Sequence, residues 1–264
     1  MRSQSPKSLP RMPTRGNGER MEGILQVLRE RTTASLAELS SRLKVSEMTV
    51  RRDVNRLAQS GEAIRIPGGA RLASSPAFEK SFAERAQKMG EAKSRIGKAA
   101  AALVKDGEAV VLDSGTTTLY VARYLRLRSN LTVLTSSLAA LEELGGSEGI
   151  RLQLIGGIYR SSSHDLVGAP VTDALARIHA NKVFFGAAAL SFRKGVMVYD
   201  LEEPRTLLES AAERILVVDS SKIGREALYR FCSVRDCDLV VTDRGIKPSH
   251  LRRLRRLVRV HIAG

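Results

Sequence analysis

From residue 87 onward the chain alternates short, unbroken apolar runs with helical patterns, and this alternation restricts the fold more than any other feature. The apolar runs are Ala109–Leu112, Leu131–Thr135, Leu152–Ile155, Val183–Phe185, Ile215–Val218 and Leu239–Thr242. Helical spacing fills the intervals: across 87–104 (Ile96, Ala99, Ala100, Leu103), from Thr116 through Leu125, and near 138–144, 171–178 and 206–213. Strands that are apolar on both faces and separated by helices predict a mostly parallel, Rossmann-like α/β domain with helices on both sides of its sheet. No run approaches the roughly 20 apolar residues of a membrane-spanning helix, so no membrane partner is expected.

Residues 20–72 follow a different plan. Ile24, Leu25 and Leu28 recur at helical spacing. Ser35 and Glu38 read as a capping box ahead of the stripe Leu36, Leu39, Leu43. After a short turn at Lys44 and Val45, Ser46 can cap a helix with Val50, Val54 and Leu57 on one face, ending at Gly61. Residues 62–71, with Pro67, Gly68 and Gly69 at the bend, read as an extended hairpin. Three helices and a hairpin form a winged helix-turn-helix.

With Val50, Val54 and Leu57 inward, Met48, Arg52 and Asn55 point outward, flanked by Thr49 and Arg51. Guanidinium forks and an amide are the groups that read guanine and adenine edges in a major groove. Ser46 at the helix start leaves backbone N–H groups for a phosphate. Arg65 and Arg71 flank the wing, where minor-groove or backbone contacts fall. Asp53 is expected to orient an arginine. An ordinary solvated helix would also carry one such arginine; the combination with turn, cap and wing favours DNA.

Charge supports this. The net +15 is unevenly spread: residues 1–72 carry 14 Lys/Arg against 7 Asp/Glu, 73–243 carry 22 against 21, and 244–264 carry 7 against none. Basic ends around a near-neutral middle suit a polyanionic partner. In the last segment, a helix burying Leu251, Leu254 and Leu257 with a solvated arginine face is expected, followed by a strand over 258–262. Residues 1–19, broken by Pro6, Pro10, Pro13, Gly16 and Gly18, read as a disordered leader. Residues 73–86 read as a linker, and 87–264 as the second domain. The two cysteines, Cys232 and Cys237, are too few for a disulfide scaffold and fit a cytoplasmic setting.

Asp113-Ser114-Gly115-Thr116-Thr117-Thr118 follows a strand and opens a helix. Gly115 permits a tight turn, and hydroxyls stand beside helix N–H groups, an arrangement suited to a phosphate; a plain N-cap cluster is the blander alternative. Thr135-Ser136-Ser137 and Gly156-Gly157 end two further strands, where open parallel sheets bind ligands. Lys93, Lys222 and Asp219 are candidate charges for the same ligand. His164, His179, His250 and His261 are scattered without metal-ligand spacing, and no cofactor is implied.

Leu36-Ala37-Glu38-Leu39, Val45-Ser46-Glu47-Met48-Thr49-Val50-Arg51-Arg52-Asp53-Val54 and Gly68-Gly69-Ala70 resemble the N-terminal signature of DeoR-type bacterial transcriptional regulators. Phe82-Ala83-Glu84-Arg85, Lys93-Ser94-Arg95-Ile96, the Leu112–Thr118 and Leu131–Thr135 stretches, Ile155-Gly156-Gly157 and Val218-Asp219-Ser220-Ser221-Lys222 resemble its later motifs in order, so the likeness spans about 20–243. It implies a repressor of a sugar-metabolism operon, released by a phosphorylated sugar. It also implies a sensor fold shared with ribose-5-phosphate isomerases and glucosamine-6-phosphate deaminases. The alternative is an isomerase or deaminase with a DNA-binding appendage; Ala187–Ser191, after the strand ending at Gly186, offers no carboxylate for such chemistry. No enzyme activity is therefore expected. Paired half-sites imply a homo-oligomer, a dimer or tetramer, on double-stranded operator DNA.

The chain departs from the family at one place. Ala188 and Ser191 stand where acidic residues are common, Ala189 where Gly is, Met197 where Thr is and Ser136 where Asn is. The stretch from Asp200 to Asp219 is about three residues short around Pro204 and Arg205, and a lysine usual in its helix has no counterpart. These positions are expected on the wall facing the sugar, which predicts shifted or weakened sugar specificity over an intact phosphate cradle.

Overall fold

The computed structural model describes residues 17–31, 33–59, 62–72, 82–200 and 204–264. The leader through residue 16 and the linker from 73 to 81 lie outside the described residues. The chain divides into two compact units between Phe78 and Glu79.

In the first unit α1 (Asn17–Arg31) starts before the expected boundary at residue 20. Strand β1 (Thr33–Ser35) leads into α2 (Leu36–Leu43), whose N-terminus is capped by Ser35 accepting the Glu38 N–H at 3.1 Å. Lys44 takes a left-handed turn at φ 54° into α3 (Glu47–Gln59). The wing is the hairpin β2 (Ala63–Ile66) and β3 (Gly69–Leu72), with Gly68 at φ 71° in its two-residue bend. β3 also pairs with β1, which the sequence pattern did not reveal. A side chain at Gly69 would stand 2.4 Å from Ala34 O, so only glycine lets the wing lie against β1. Ile24, Leu28, Leu39, Val50, Val54 and Leu57 fill the core.

The second unit opens with α4 (Phe82–Gln87), in the stretch expected to be linker. Its Phe82 N–H and Arg85 guanidinium both donate to Ser162 O, and Arg85 also reaches Ser163 Oγ. These long-range contacts, which local patterning does not report, hold the short helix. The single helix expected over 87–104 is likewise broken: Met89 sits at φ 56° and α5 covers Gly90–Ala101.

The remaining elements run β4 (Ala109–Leu112), α6 (Thr116–Leu125), β5 (Leu131–Thr135), α7 (Leu138–Leu144), β6 (Ile150–Leu154), β7 (Ile158–Arg160), β8 (Asp165–Val167), α8 (Ala169–Leu175), β9 (Ala180–Phe185), β10 (Ala189–Ser191), β11 (Gly195–Val198), α9 (Pro204–Glu209), β12 (Ala211–Val217), β13 (Tyr229–Cys232), β14 (Leu239–Asp243), α10 (Pro248–Arg255) and β15 (Arg259–Ala263). Among the described residues seven strands form one parallel sheet in the order β15-β14-β12-β9-β4-β5-β6. Neighbouring side chains serve opposite faces. Val110 and Leu112 join a core that includes Ile96, Val121 and Leu144, whereas Val111 joins one that includes Val171, Leu208 and Leu254. α5 and α6 touch so closely that a side chain at Gly97 would stand 2.5 Å from the Tyr120 backbone.

Two small additions flank the main sheet: the hairpin β7–β8 and the antiparallel sheet β10-β11-β13. After β4 the chain builds outward through β5 and β6, then returns to add β9 on the other flank of β4. The crevice between β4 and β9 is thus the switch point where such sheets bind ligands. α10 buries Leu254, with Leu251 and Leu257 only half-buried, and leaves Arg252, Arg253 and Arg255 exposed, with Arg256 exposed just after it.

Candidate functional site

α3 is amphipathic because Val50, Val54 and Leu57 supply its core stripe. The opposite face presents Met48, 64% exposed, with exposed Arg51 and Arg52; Thr49 and Asn55 are half-buried at its margins. The Asn55 Oδ1 is buried with no hydrogen-bond partner. Ser46 accepts the Thr49 N–H at 3.2 Å and meets the Thr49 hydroxyl at 2.9 Å. Its hydroxyl is therefore spent on the cap, and an incoming phosphate has to use other N–H groups of the first turn. Asp53 is buried and takes a two-armed contact from Arg20, at 2.5 and 3.1 Å, with Arg56 at 3.7 Å. The arginines it orients are these, not the adjacent Arg52. Arg65 is exposed on β2, while Arg71 on β3 is half-buried.

In the second unit the loop after β4 lies at the switch point. Asp113 N–H donates to Phe184 O at 2.9 Å, and its carboxylate accepts the N–H groups of Ser114 and Gly186. Burial, reinforced by the nearby Asp165 carboxylate, pushes the Asp113 carboxyl up to about 7, against the pull of those N–H groups and of Arg160. Ser114 and Gly115 remain half-buried, and Gly115 turns at φ 153° into α6.

The hydroxyls of this region divide into two sets. Thr118 donates to Gly115 O at 2.8 Å; Thr135 donates to Leu112 O at 2.7 Å and accepts the Ser137 N–H at 3.0 Å; Ser137 caps α7 by accepting the Ala140 N–H at 3.2 Å. These three hydroxyls brace the loops. The Thr117 hydroxyl is buried without a partner, and Thr116 is also buried. Ser136 is half-buried, with its carbonyl accepting the Leu166 N–H. The two glycines also separate. A side chain at Gly157 would stand 2.6 Å from Val167 O, whereas one at Gly156 meets nothing within 4 Å.

Charge converges from three directions. Lys93, 2% exposed on α5, donates to Arg85 O, and Lys222 donates to Ala187 O at 2.6 Å. Burial, with like charge from Lys222 and Arg85 and an opposing Asp219, lowers the Lys93 ammonium to about 8. Asp219 is buried and spends one oxygen on the Ser221 N–H and hydroxyl. Two ammonium groups and a guanidinium near one carboxylate leave a net positive spot.

Family models match both units: a DeoR-like helix-turn-helix domain over residues 20–76 and a DeoR C-terminal sensor domain over 88–244. The chain belongs to the DeoR family. Over 246 residues it is 33% identical to a putative aga operon transcriptional repressor of Escherichia coli O157:H7, covering 91% of each chain. It is 31% identical to the transcriptional repressor GlcR of Bacillus subtilis, covering 86% of this chain and 88% of that one. A ribose 5-phosphate isomerase of Methanocaldococcus jannaschii aligns with TM-score 0.37 at 20% identity, over 51% of this chain and 54% of that one.

The positions expected on the sugar-facing wall fall into separate surroundings in the structure. Ala189, Met197 and Ala227 pack together, with Ala188 and Tyr199 against them. Ser191 is buried, donates to Glu226 at 3.2 Å and accepts the N–H groups of Arg193 and Lys194. These bonds hold the β10–β11 turn. Residues 201–203 lie outside the described residues.

One pair went unread in the sequence. Arg160 on β7 grips Asp165 on β8 at 2.6 and 3.0 Å and reaches Asp200 at 3.5 Å. Asp165 is 2% exposed and sits near Asp113. The pair depends on a hairpin over 158–167, for which Ser161-Ser162-Ser163 carries no turn signature. A groove of about 550 Å³ between α6 and α7, lined by residues including Arg123, Arg126, Glu142 and Glu143, contains none of the cradle residues. No helix among the described residues is long and apolar enough to cross a membrane.

Proposed function

We propose that this chain is a cytoplasmic repressor of a carbohydrate-metabolism operon that leaves its double-stranded operator when a phosphorylated sugar binds. In this reading α3 enters the major groove with Met48, Thr49, Arg51, Arg52 and Asn55, and the wing brings Arg65 and Arg71 to the backbone. The phosphate lies against Ser114, Gly115, Thr116 and Thr117 at the start of α6, with Lys93 and Lys222 as counter-charges. Asp113, Asp219 and Ser136 remain for sugar hydroxyls, and Gly156 leaves room for the sugar. The chain works as a homo-oligomer, since paired half-sites need paired heads.

The observation that carries this reading is the Lys93 ammonium, 2% exposed on α5 with its amine donating to the Arg85 carbonyl: a buried cation with no carboxylate bonded to it among the described residues is suited to an anion. The aga operon and GlcR repressor names of the two relatives support the regulatory part. The ligand acts only through a difference in affinity for DNA-competent and incompetent arrangements.

A double dissociation tests it. Arg52→Ala weakens operator binding and leaves sugar-phosphate binding intact. Thr116→Ala with Thr117→Ala leaves repression intact and insensitive to inducer.

A second reading, an aldose–ketose isomerase, draws on Asp113, whose carboxyl near pKa 7 suits a general base. No carboxylate stands at Gly186–Ser191, which weighs against it. Turnover of phosphorylated aldoses by the full chain, lost in Asp113→Asn, decides for it.

A further inference from the structure

We propose that the free edge of β6 pairs antiparallel with the same edge of a second copy of this chain, about a two-fold axis through Leu152. This names the surface of the homo-oligomer proposed above and rests on that reading for its paired heads. Among the described residues β6 has one sheet neighbour, β5. In that ladder Leu131 N–H donates to Gly149 O and Ile155 N–H donates to Thr135 O. By the alternation of a parallel ladder, 149, 151, 153 and 155 face β5, and the backbone groups of Ile150, Leu152 and Leu154 turn toward the free edge.

Those three residues are symmetric about Leu152. Self-pairing sets Leu152 against its own counterpart and Ile150 against Leu154, apolar on apolar. On the other face Arg151 meets Gln153, so no charge meets its like. Ile150 is buried and Leu152 half-buried, but the end of β6 and the chain after it are exposed and apolar: Leu154 is 37% exposed, Ile158 68% and Tyr159 54%. An edge of this kind is normally covered or blunted. The opposite edge is blunted, since β15 carries exposed Arg259 and α10 beside it exposes Arg252, Arg253 and Arg255. A second copy there would meet like charge. An isologous β6 contact closes as a dimer, the symmetry that two DNA heads require. It also lies close to the crevice, because the hairpin bearing Ile158 and Tyr159 is tied to Ser136 O by the Leu166 N–H.

The test is disulfide trapping in the full chain without DNA. A hydrogen-bonded antiparallel pair places its Cα atoms about 5.5 Å apart, within disulfide reach, and both native cysteines are buried. Leu152→Cys is expected to give a covalent dimer on mild oxidation, and His261→Cys on the opposite edge none. Leu154→Asp is expected to sediment at half the wild-type mass while still melting cooperatively. The proposal is overturned if the wild type sediments as a 28.8 kDa monomer, if Leu154→Asp keeps the wild-type mass, or if His261→Cys is the variant that crosslinks. A chain that forms this dimer yet ignores every operator fragment would overturn the regulator reading alone.

Discussion

Arg160 holds Asp165 with both arms of its guanidinium, 2.6 and 3.0 Å away, and so fastens the β7–β8 hairpin beneath the loop that carries Asp113. Removing one partner of a buried pair leaves the other charge uncompensated, at a cost of about 3 kcal/mol. Arg160→Met is therefore expected to lower the unfolding free energy, extrapolated from urea melts, by that amount. Adding Asp165→Leu should recover most of it, because the desolvated carboxylate is gone. An Arg160→Met protein as stable as the wild type would show that the pair is not what secures the hairpin.

Gly156 and Gly157 give a matched pair. A methyl at Gly157 would press on Val167 O and the Val171 side chain, so Gly157→Ala should cost about 1–3 kcal/mol. Gly156 faces open space at the proposed sugar position. Gly156→Val should melt within a degree or two of the wild type yet lose the thermal shift that sugar phosphates produce. A Gly156→Val protein that keeps that shift would move the sugar elsewhere.

Asp113 makes stability depend on pH. Its folded pKa, near 7, lies above its unfolded value of 3.8, so the fold holds the proton more tightly than the unfolded chain. Stability from this group is therefore greatest below pH 4 and declines as pH rises toward 7, by up to about 4 kcal/mol. Asp113→Asn, whose amide oxygen still accepts the Ser114 and Gly186 N–H groups, should flatten that slope and exceed the wild type at pH 8. Denaturant melts at pH 5 and pH 8 measure this; equal slopes in the two proteins would contradict it.

Lys93 gives the complementary signal. Its ammonium, lowered to about 8, is partly neutral at pH 8.5. A bound phosphate restores the proton, so calorimetry in two buffers of different ionisation enthalpy should show uptake of a fraction of a proton per ligand. Lys93→Met should abolish the uptake. Binding without proton exchange in the wild type would place the phosphate away from Lys93.

The sequence pattern disclosed what local physics controls. Ala109–Leu112 and Leu131–Thr135 are strands because they are short and apolar on both faces, and α3 shows its groove face because Val50, Val54 and Leu57 are spaced helically. It did not disclose what distant contacts decide. Phe82–Gln87 is helical through Ser162 and Ser163, eighty residues on, and Arg160 finds Asp165 only once the hairpin exists. The hydroxyl-rich motifs were legible as types but not as roles. Thr118, Thr135 and Ser137 look alike in sequence, and each also makes an internal bond, since only folding sets which carbonyl or N–H each one meets.

The most direct measurement is the affinity of the full chain for duplex fragments from upstream of its own gene, followed by fluorescence anisotropy at fixed salt while phosphorylated sugars and their unphosphorylated counterparts are titrated in. Tight binding to one fragment, loosened at least tenfold by a phosphorylated sugar but not by the same sugar without phosphate, is the expected result. Affinity that no sugar phosphate alters, in a protein whose melt one of them raises, would contradict the link between the crevice and the DNA heads.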